Sequence, residues 1–330
     1  MAYQFQNKGK FALQTFNNVH VHNQLKQKAF RLSDGIRVMP GVPVHNLDVW
    51  KEWIGSIRME NLEKANLVLL IEEPSDNPEI FDDVHERLGD DLCRLFHLMH
   101  LRSGIEYQGA DLLLGSSEQS TPKIWRMSRQ PTFFPSKGCR RALVTKEWLE
   151  DAITLCAGVI TLETNKAERV IRGLDTLLKG LKEKAGQNRL HQFVRSLEAL
   201  ILPDEGKTTK QFTHRCQTFA RADHDTQSLL QEAFKMRSAT EHLHSWDKAV
   251  QHYLVEQREA VCWQRTRQIE HLACDAYSRV LRNAALRKHF VTDDAIANFW
   301  KKLSDSERRS LWGDPLDITL GPLVQERVTL

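Results

Sequence analysis

No Cys-x-x-Cys pair, no glycine-rich phosphate loop and no apolar run of membrane-spanning length occurs in the 330 residues of this sequence. Each absence removes a class of function. The six cysteines, at positions 93, 139, 156, 216, 262 and 274, are scattered singly. That argues against a disulfide framework and a zinc ribbon, and for free thiols in a reducing compartment. Without a phosphate-cradling loop there is no nucleotide site of the P-loop kind, and no Ser-His-Asp order can be assembled. The opening stretch MAYQFQNKGKFALQTFNN holds no apolar segment long enough for a signal peptide. A cytoplasmic protein with no membrane partner is expected. Charge of one sign is missing too: 46 Lys and Arg against 43 Asp and Glu leave a net charge of +3. Binding to nucleic acid therefore has to rest on a local patch. The histidine groups HVH (20–22), HLMH (97–100) and HLH (242–244) have no Cys, Asp or Glu at metal-ligand spacing beside them, so no metal and no cofactor is expected.

What is present divides the chain in two. A length of 330 residues suffices for two domains, and 41% hydrophobic with 27% charged residues is ordinary for a globular protein. KANLVLLIEE (64–73), ended by Pro74, has the length and apolarity of a buried strand, and IFDDVHERLGDDLCRLFHLMHLRS (80–103) has apolar residues at helical spacing. GADLLLGSS and KIWRMSRQ are strand-like, separated by the turn-rich GSSEQSTP. Residues 1–142 are therefore expected to form an α+β region; the role expected of it, sensing a trigger or positioning a substrate, does not come from this pattern.

From Val144 onward the periodicity is nearly all helical. In RLHQFVRSLEALI (189–201), Leu190, Phe193, Val194, Leu197, Leu200 and Ile201 follow the rhythm of an amphipathic helix. A long helix is expected from Arg258 to Arg287, followed by a short one capped by Thr292. The fold class is thus an α+β N-terminal region followed by an all-α bundle over 143–330, mainly α overall. The eight tryptophans, mostly among apolar neighbours, read as core residues ahead of base-stacking ones.

The chemistry gathers in AFKMRSATEHLHSW (233–246), where Arg237, Ser238, His242 and His244 lie at the polar end of a helix. The plainest reading is a capped and solvated helix end. The other reading of these residues is half of an RNA-cutting site. In a regular helix His242 lies about 7.5 Å along and about 140° around from Arg237, on a different face. His244 falls within about 20° of Arg237's face, about 10.5 Å away. Glu241, four residues after Arg237, is placed to pair with it and neutralise it. Neither Arg237 nor His242 is on the apolar stripe, so replacing either is expected to leave the fold intact.

Three stretches carry a resemblance. FVRSLEALILPDEGKTTKQFTHRCQTFA resembles the helix, polar loop and helix of ApeA-like HEPN domains; FKMRSATEH resembles the helix bearing their Arg-x4–6-His signature; QIEHLACDAYSRVL resembles the closing helix. Together they span about residues 160–300. The resemblance implies a HEPN helical bundle that dimerises, so that Arg237 and His242 of two chains form one composite site. It implies metal-independent endoribonuclease activity by 2′-OH attack, in a toxin or anti-phage defence effector with RNA as substrate and an antitoxin or phage-derived trigger as partner. Ser238 matches the small polar position, and Arg215 matches an inward arginine that either supports the site or pairs with an acid such as Glu198. His244 satisfies the longer spacing of the signature. Departures sit at Thr240 and Glu241, where an aliphatic residue is usual, and at Leu243, where glycine is usual. They leave open a second implication, a catalytically inactive HEPN module that binds RNA, a nucleotide or a partner protein.

Overall fold

The computed structural model describes residues 3–32, 35–44, 50–102, 105–134 and 143–319. It is mainly α, with an antiparallel sheet in its N-terminal part, and it divides into two compact units between Ile153 and Thr154.

The first unit contains, in order, β1 (Lys8–Asn17), α1 (Asn23–Gln27), β2 (Phe30–Arg31), β3 (Arg37–Met39), α2 (Lys51–Ile54), α3 (Ser56–Glu63), β4 (Ala65–Pro74), α4 (Asp83–Met99), β5 (Gly109–Glu118) and β6 (Thr121–Arg129). The six strands form one sheet in the order β2-β3-β4-β1-β5-β6, every pairing antiparallel. Strand residues alternate sides, so Phe11, Leu13, Val68, Leu70, Leu113 and Ile124 share one face with Met59 and Leu62 of α3. The other face is closed by α4, whose Leu88, Leu92, Leu95, Phe96 and Met99 recur at helical spacing and are buried.

The strands read from KANLVLLIEE, GADLLLGSS and KIWRMSRQ are β4, β5 and β6. GSSEQSTP is a correction. Its ends belong to the ladder, and only Gln119 and Ser120 form the turn, both with positive φ. A two-residue turn of this hand matches the twist of the paired strands. The central strand β1 has no counterpart in the sequence reading, because Lys10, Gln14 and Thr15 interrupt its apolar pattern; all three are buried.

The rest of the chain is helical: α5 (Lys146–Thr164), within which the division falls, α6 (Glu168–Lys182), α7 (Gly186–Ile201), α8 (Thr208–Cys216), α9 (His224–Glu241), a 3-10 turn at Trp246–Lys248, α10 (Val255–Arg282), α11 (Ala284–Arg287), α12 (Asp293–Lys302) and α13 (Asp305–Trp312). All six apolar residues read from 189–201 are buried on α7. Gly173 of α6 makes the tight crossing there: a Cβ on it would lie 2.0 Å from the Tyr277 hydroxyl and 2.5 Å from Ala199. That hydroxyl donates to the Ser196 carbonyl at 2.9 Å, and Arg189 of α7 pairs with Glu270 of α10 at 2.6 Å. Both contacts lock α7 to α10.

The long helix starts and stops earlier than expected. It runs from Val255 to Arg282 because Asn283 takes an extended conformation and its side chain accepts from the Ala285 and Leu286 N–H groups, capping a new short helix. Thr292 caps α12 as expected. Among the described residues no helix is long and apolar enough to cross a membrane.

Candidate functional site

The helix that carries Arg237 begins at Asp223, whose carboxylate caps the Thr226 N–H at 2.8 Å, and ends at Glu241. His242 is its C-cap residue. Leu243 follows in the left-handed region, at φ 57°. The Leu243 N–H reaches the Thr240 carbonyl at 3.1 Å and the His244 N–H reaches that of Ala239 at 2.8 Å. This pair of bonds is a Schellman termination, which normally puts glycine at the left-handed residue. Leu243 is the position where the resembled signature has glycine, and its side chain is 96% exposed.

This ending corrects the helical-wheel expectation for His244, since the chain has left the helix before reaching it. The imidazoles of His242 and His244 lie 6.3 Å apart, both exposed. The helix also does not extend to Trp246, which sits in the 3-10 turn with its indole N–H on the Thr240 hydroxyl at 2.8 Å.

Arg237 is held from two sides. One Nη donates to Glu198 of α7 at 3.1 Å and the other to Glu241 at 2.5 Å, while Nε is buried without a partner. The two carboxylates differ in kind. The Glu198 side chain is 16% exposed, and burial raises its pKa despite the opposing pull of Arg237. The Glu241 side chain is 42% exposed, and an exposed pair four residues apart on a helix contributes only about 0.5 kcal/mol. Glu198 thus holds the guanidinium from the more buried side and Glu241 from the solvent side.

Sequence reasoning had not assigned a role to His191. On α7, His191, Arg195 and Glu198 follow the i, i+4, i+7 spacing of one stripe. Burial, then the charges of Arg237 and Arg195, lower the His191 pKa, with Glu241 opposing. Its Nε2 is buried without a hydrogen-bond partner. A neutral imidazole thus stands near Arg237 within one chain. The legible signal was its spacing to Glu198, which only the pairing of α7 with α9 makes meaningful.

The other candidate residues lie as follows. Among the described residues no hydrogen bond or ring contact joins Arg237 to His242. Ser238 is half-buried and its carbonyl accepts from the His242 N–H at 3.2 Å. Arg215 is buried and donates to the Ile201 and Leu202 carbonyls, both at 2.6 Å, capping the C-terminal end of α7 beside the Trp300 ring. The acid named for it, Glu198, is instead held by Arg237.

Glu232, earlier on α9, accepts from Arg265 at 2.7 Å, His252 at 2.9 Å and Tyr253 at 3.2 Å, tying the segment after α9 to α10. Beside it opens a cleft of about 350 Å³ between the first turn of α7, the 3-10 turn and the first turns of α10. Trp246 and Trp263 line it. Four of the eight tryptophans, at 50, 148, 300 and 312, are core as expected, whereas these two face the cleft and Trp53 is 72% exposed.

In the first unit Asp82, His85 and Ser116 resemble a nucleophilic triad in space, with His85 Nε2 3.0 Å from the serine hydroxyl. The tautomer is wrong for one. His85 Nδ1 accepts the Asp82 backbone N–H, so the proton is on Nε2 and the ring cannot take another from Ser116. The group is a capping box on α4, with Asp82 paired to Lys10 and the Ser116 hydroxyl accepting from the Trp125 indole N–H at 2.9 Å.

Comparison of the chain with protein-family models, with curated proteins and with solved structures finds no match.

Proposed function

We propose that this chain is a metal-independent endoribonuclease of the HEPN type, with Arg237 as the phosphate-binding residue and His242 as the base. The observation that carries the reading is the unequal hold on Arg237. A buried carboxylate fixes the guanidinium beside the surface, and the exposed Glu241 yields Nη1 to an arriving phosphate, because a charge-assisted bond to phosphate exceeds a weak exposed pair. Since Arg237 and His242 do not meet within the chain, the active form is a homodimer in which a two-fold axis brings the ends of two α9 helices together. The exposed imidazoles at the C-cap are free to cross such an interface. A cytoplasmic toxin or anti-phage effector, held in check by an antitoxin or released by a phage-derived trigger, is the biological setting that the sequence resemblance suggests.

One experiment tests activity, assembly and base together. At micromolar concentration the chain should sediment at twice 38.2 kDa and cut single-stranded RNA in excess EDTA. The products should carry 2′,3′-cyclic phosphate and 5′-OH ends, and 2′-O-methyl at the cut position should block the reaction. His242→Ala should abolish cleavage and His191→Ala should retain it; the reverse result places the base within a single chain. Cleavage that needs a divalent cation overturns the mechanism. A second reading, an inactive module that binds RNA or a partner without cutting, is favoured by the occupation of both Nη groups of Arg237 by carboxylates. Binding without cleavage across a broad RNA panel selects it.

A further inference from the structure

The cleft beside α9 is built from groups that do not otherwise belong together. Trp246 and Trp263 give it two indoles, Asp247 and Glu259 two carboxylates, Arg258 a guanidinium, and Gly186 the first turn of α7. These groups are held in place. The Trp246 N–H is fixed on Thr240, and Arg258 donates to the Tyr253 carbonyl at 3.2 Å and the Gln251 carbonyl at 3.1 Å. A Cβ on Gly186 would lie 3.2 Å from the Trp263 ring, so the absence of a side chain lets the start of α7 close against that indole. Asp247 accepts from the Ser245 hydroxyl at 2.6 Å, whereas Glu259 has no hydrogen-bond partner among the described residues.

We propose that this cleft binds the guanine base of a single-stranded RNA, with the indoles stacking on the ring and Glu259 reading its Watson–Crick edge. Three observations converge on it. Aromatic side chains give every base a stacking surface, and a volume near 350 Å³ admits one nucleoside. Guanine alone presents two adjacent donors, N1–H and the N2 amino group, to one acceptor-only carboxylate, while Arg258 is a donor for its O6 and N7 acceptors. The location matters as well: Thr240, which holds Trp246, is three residues after Arg237, about 4.5 Å further along α9. A base in the cleft therefore stacks on an indole tethered to the same helix that carries Arg237. Two indoles with carboxylates would also suit a methylated ammonium group, but a fixed guanidinium in the same cleft opposes a cation.

The inference rests on the ribonuclease reading for the identity of the polymer, and the test separates the two. Tryptophan fluorescence of the full-length protein is titrated with guanosine, adenosine, uridine and cytidine 3′-monophosphates and with trimethyllysine amide. Guanosine 3′-monophosphate should bind most tightly, and Trp263→Ala should weaken it on the order of 10-fold. Glu259→Gln should reduce the preference for guanosine over adenosine on the order of 10-fold. Glu259 is exposed, so this variant remains decisive if Trp263→Ala melts early. Equal binding of all four nucleotides, no binding, or tighter binding of trimethyllysine amide overturns the inference. Guanosine 3′-monophosphate binding without cleavage of any RNA overturns the ribonuclease and leaves the cleft. Cleavage with no guanine preference beside the cut, unchanged in Glu259→Gln, overturns the cleft and leaves the ribonuclease.

Discussion

Replacing Arg237 by alanine tests whether Glu198 is an anchor whose charge depends on its partner. Removing one side of a buried ion pair costs on the order of 3–5 kcal/mol. Glu198 has an escape, because it can take up a proton. Its ordinary pKa is 4.5, and burial already raises the folded value against the pull of Arg237. Keeping such a carboxyl neutral near pH 7 costs about 3.4 kcal/mol, which caps the electrostatic loss. Part of that cost is already present in the wild type. Losing the contact of Arg237 with the Phe234 ring, 5.6 Å away, adds about 0.5 kcal/mol. The expected destabilisation is about 2–3 kcal/mol near pH 7, shrinking to about 1 kcal/mol below pH 4.5. The sign follows from the direction of the shift: a carboxyl raised by folding contributes stability that is fully present below its unfolded pKa and is lost as pH rises through the folded one. Without Arg237 the folded pKa rises further, so the variant falls away from the wild type as the pH climbs. Urea unfolding at both pH values measures this, and Glu198→Gln in the same chain should restore most of the loss near neutrality. An equal loss at both pH values, or no restoration, refutes the anchoring role. An activity assay on Arg237→Ala therefore needs the Glu198→Gln background to separate chemistry from stability.

Leu243→Gly should stabilise the protein by roughly 0.5–1 kcal/mol, since the left-handed penalty of a side chain exceeds the entropy that glycine loses on folding and the exposed side chain forfeits no burial; a shifted urea midpoint at constant slope would show it, and an unchanged midpoint would deny it. Glu241→Gln should raise the cleavage rate about twofold, the scale of an exposed pair four residues apart; a rate unchanged at low salt would mean that phosphate does not need the position that Glu241 occupies.

The fold was legible wherever one periodicity ran uninterrupted. The apolar run of β4, the stripes of α4 and α7 and the Thr292 cap of α12 each carry their signal within a single element. β1 was not legible, because its buried polar residues reach partners far along the chain: Lys10 pairs with Asp82, and Gln14 donates to the Asp111 carbonyl at 3.2 Å as well as to that of its neighbour Thr15 at 3.1 Å. The end of α10 was missed for a related reason. Asn283 sits in a run of good helix formers, and only its side chain's capture of two N–H groups shows that the helix has stopped.

The candidate site was legible in its letters and not in its grouping. The pairing of Arg237 with Glu241 follows from helical spacing alone and is present. Glu198 and His191 belong to the same cluster, yet they are 39 and 46 residues away from Arg237, and nothing local to α9 announces them. The departure at Leu243 reads differently once its backbone is known. The glycine of the resembled signature supplies a left-handed residue that ends the helix, and leucine performs that task here at a conformational cost while keeping both Schellman bonds. The substitution therefore preserves the turn that exposes His242 and His244 and changes only how much stability it consumes. By that reasoning the departure that bears on the candidate site is Glu241, because it touches the guanidinium itself, sharing Arg237 with the less exposed Glu198.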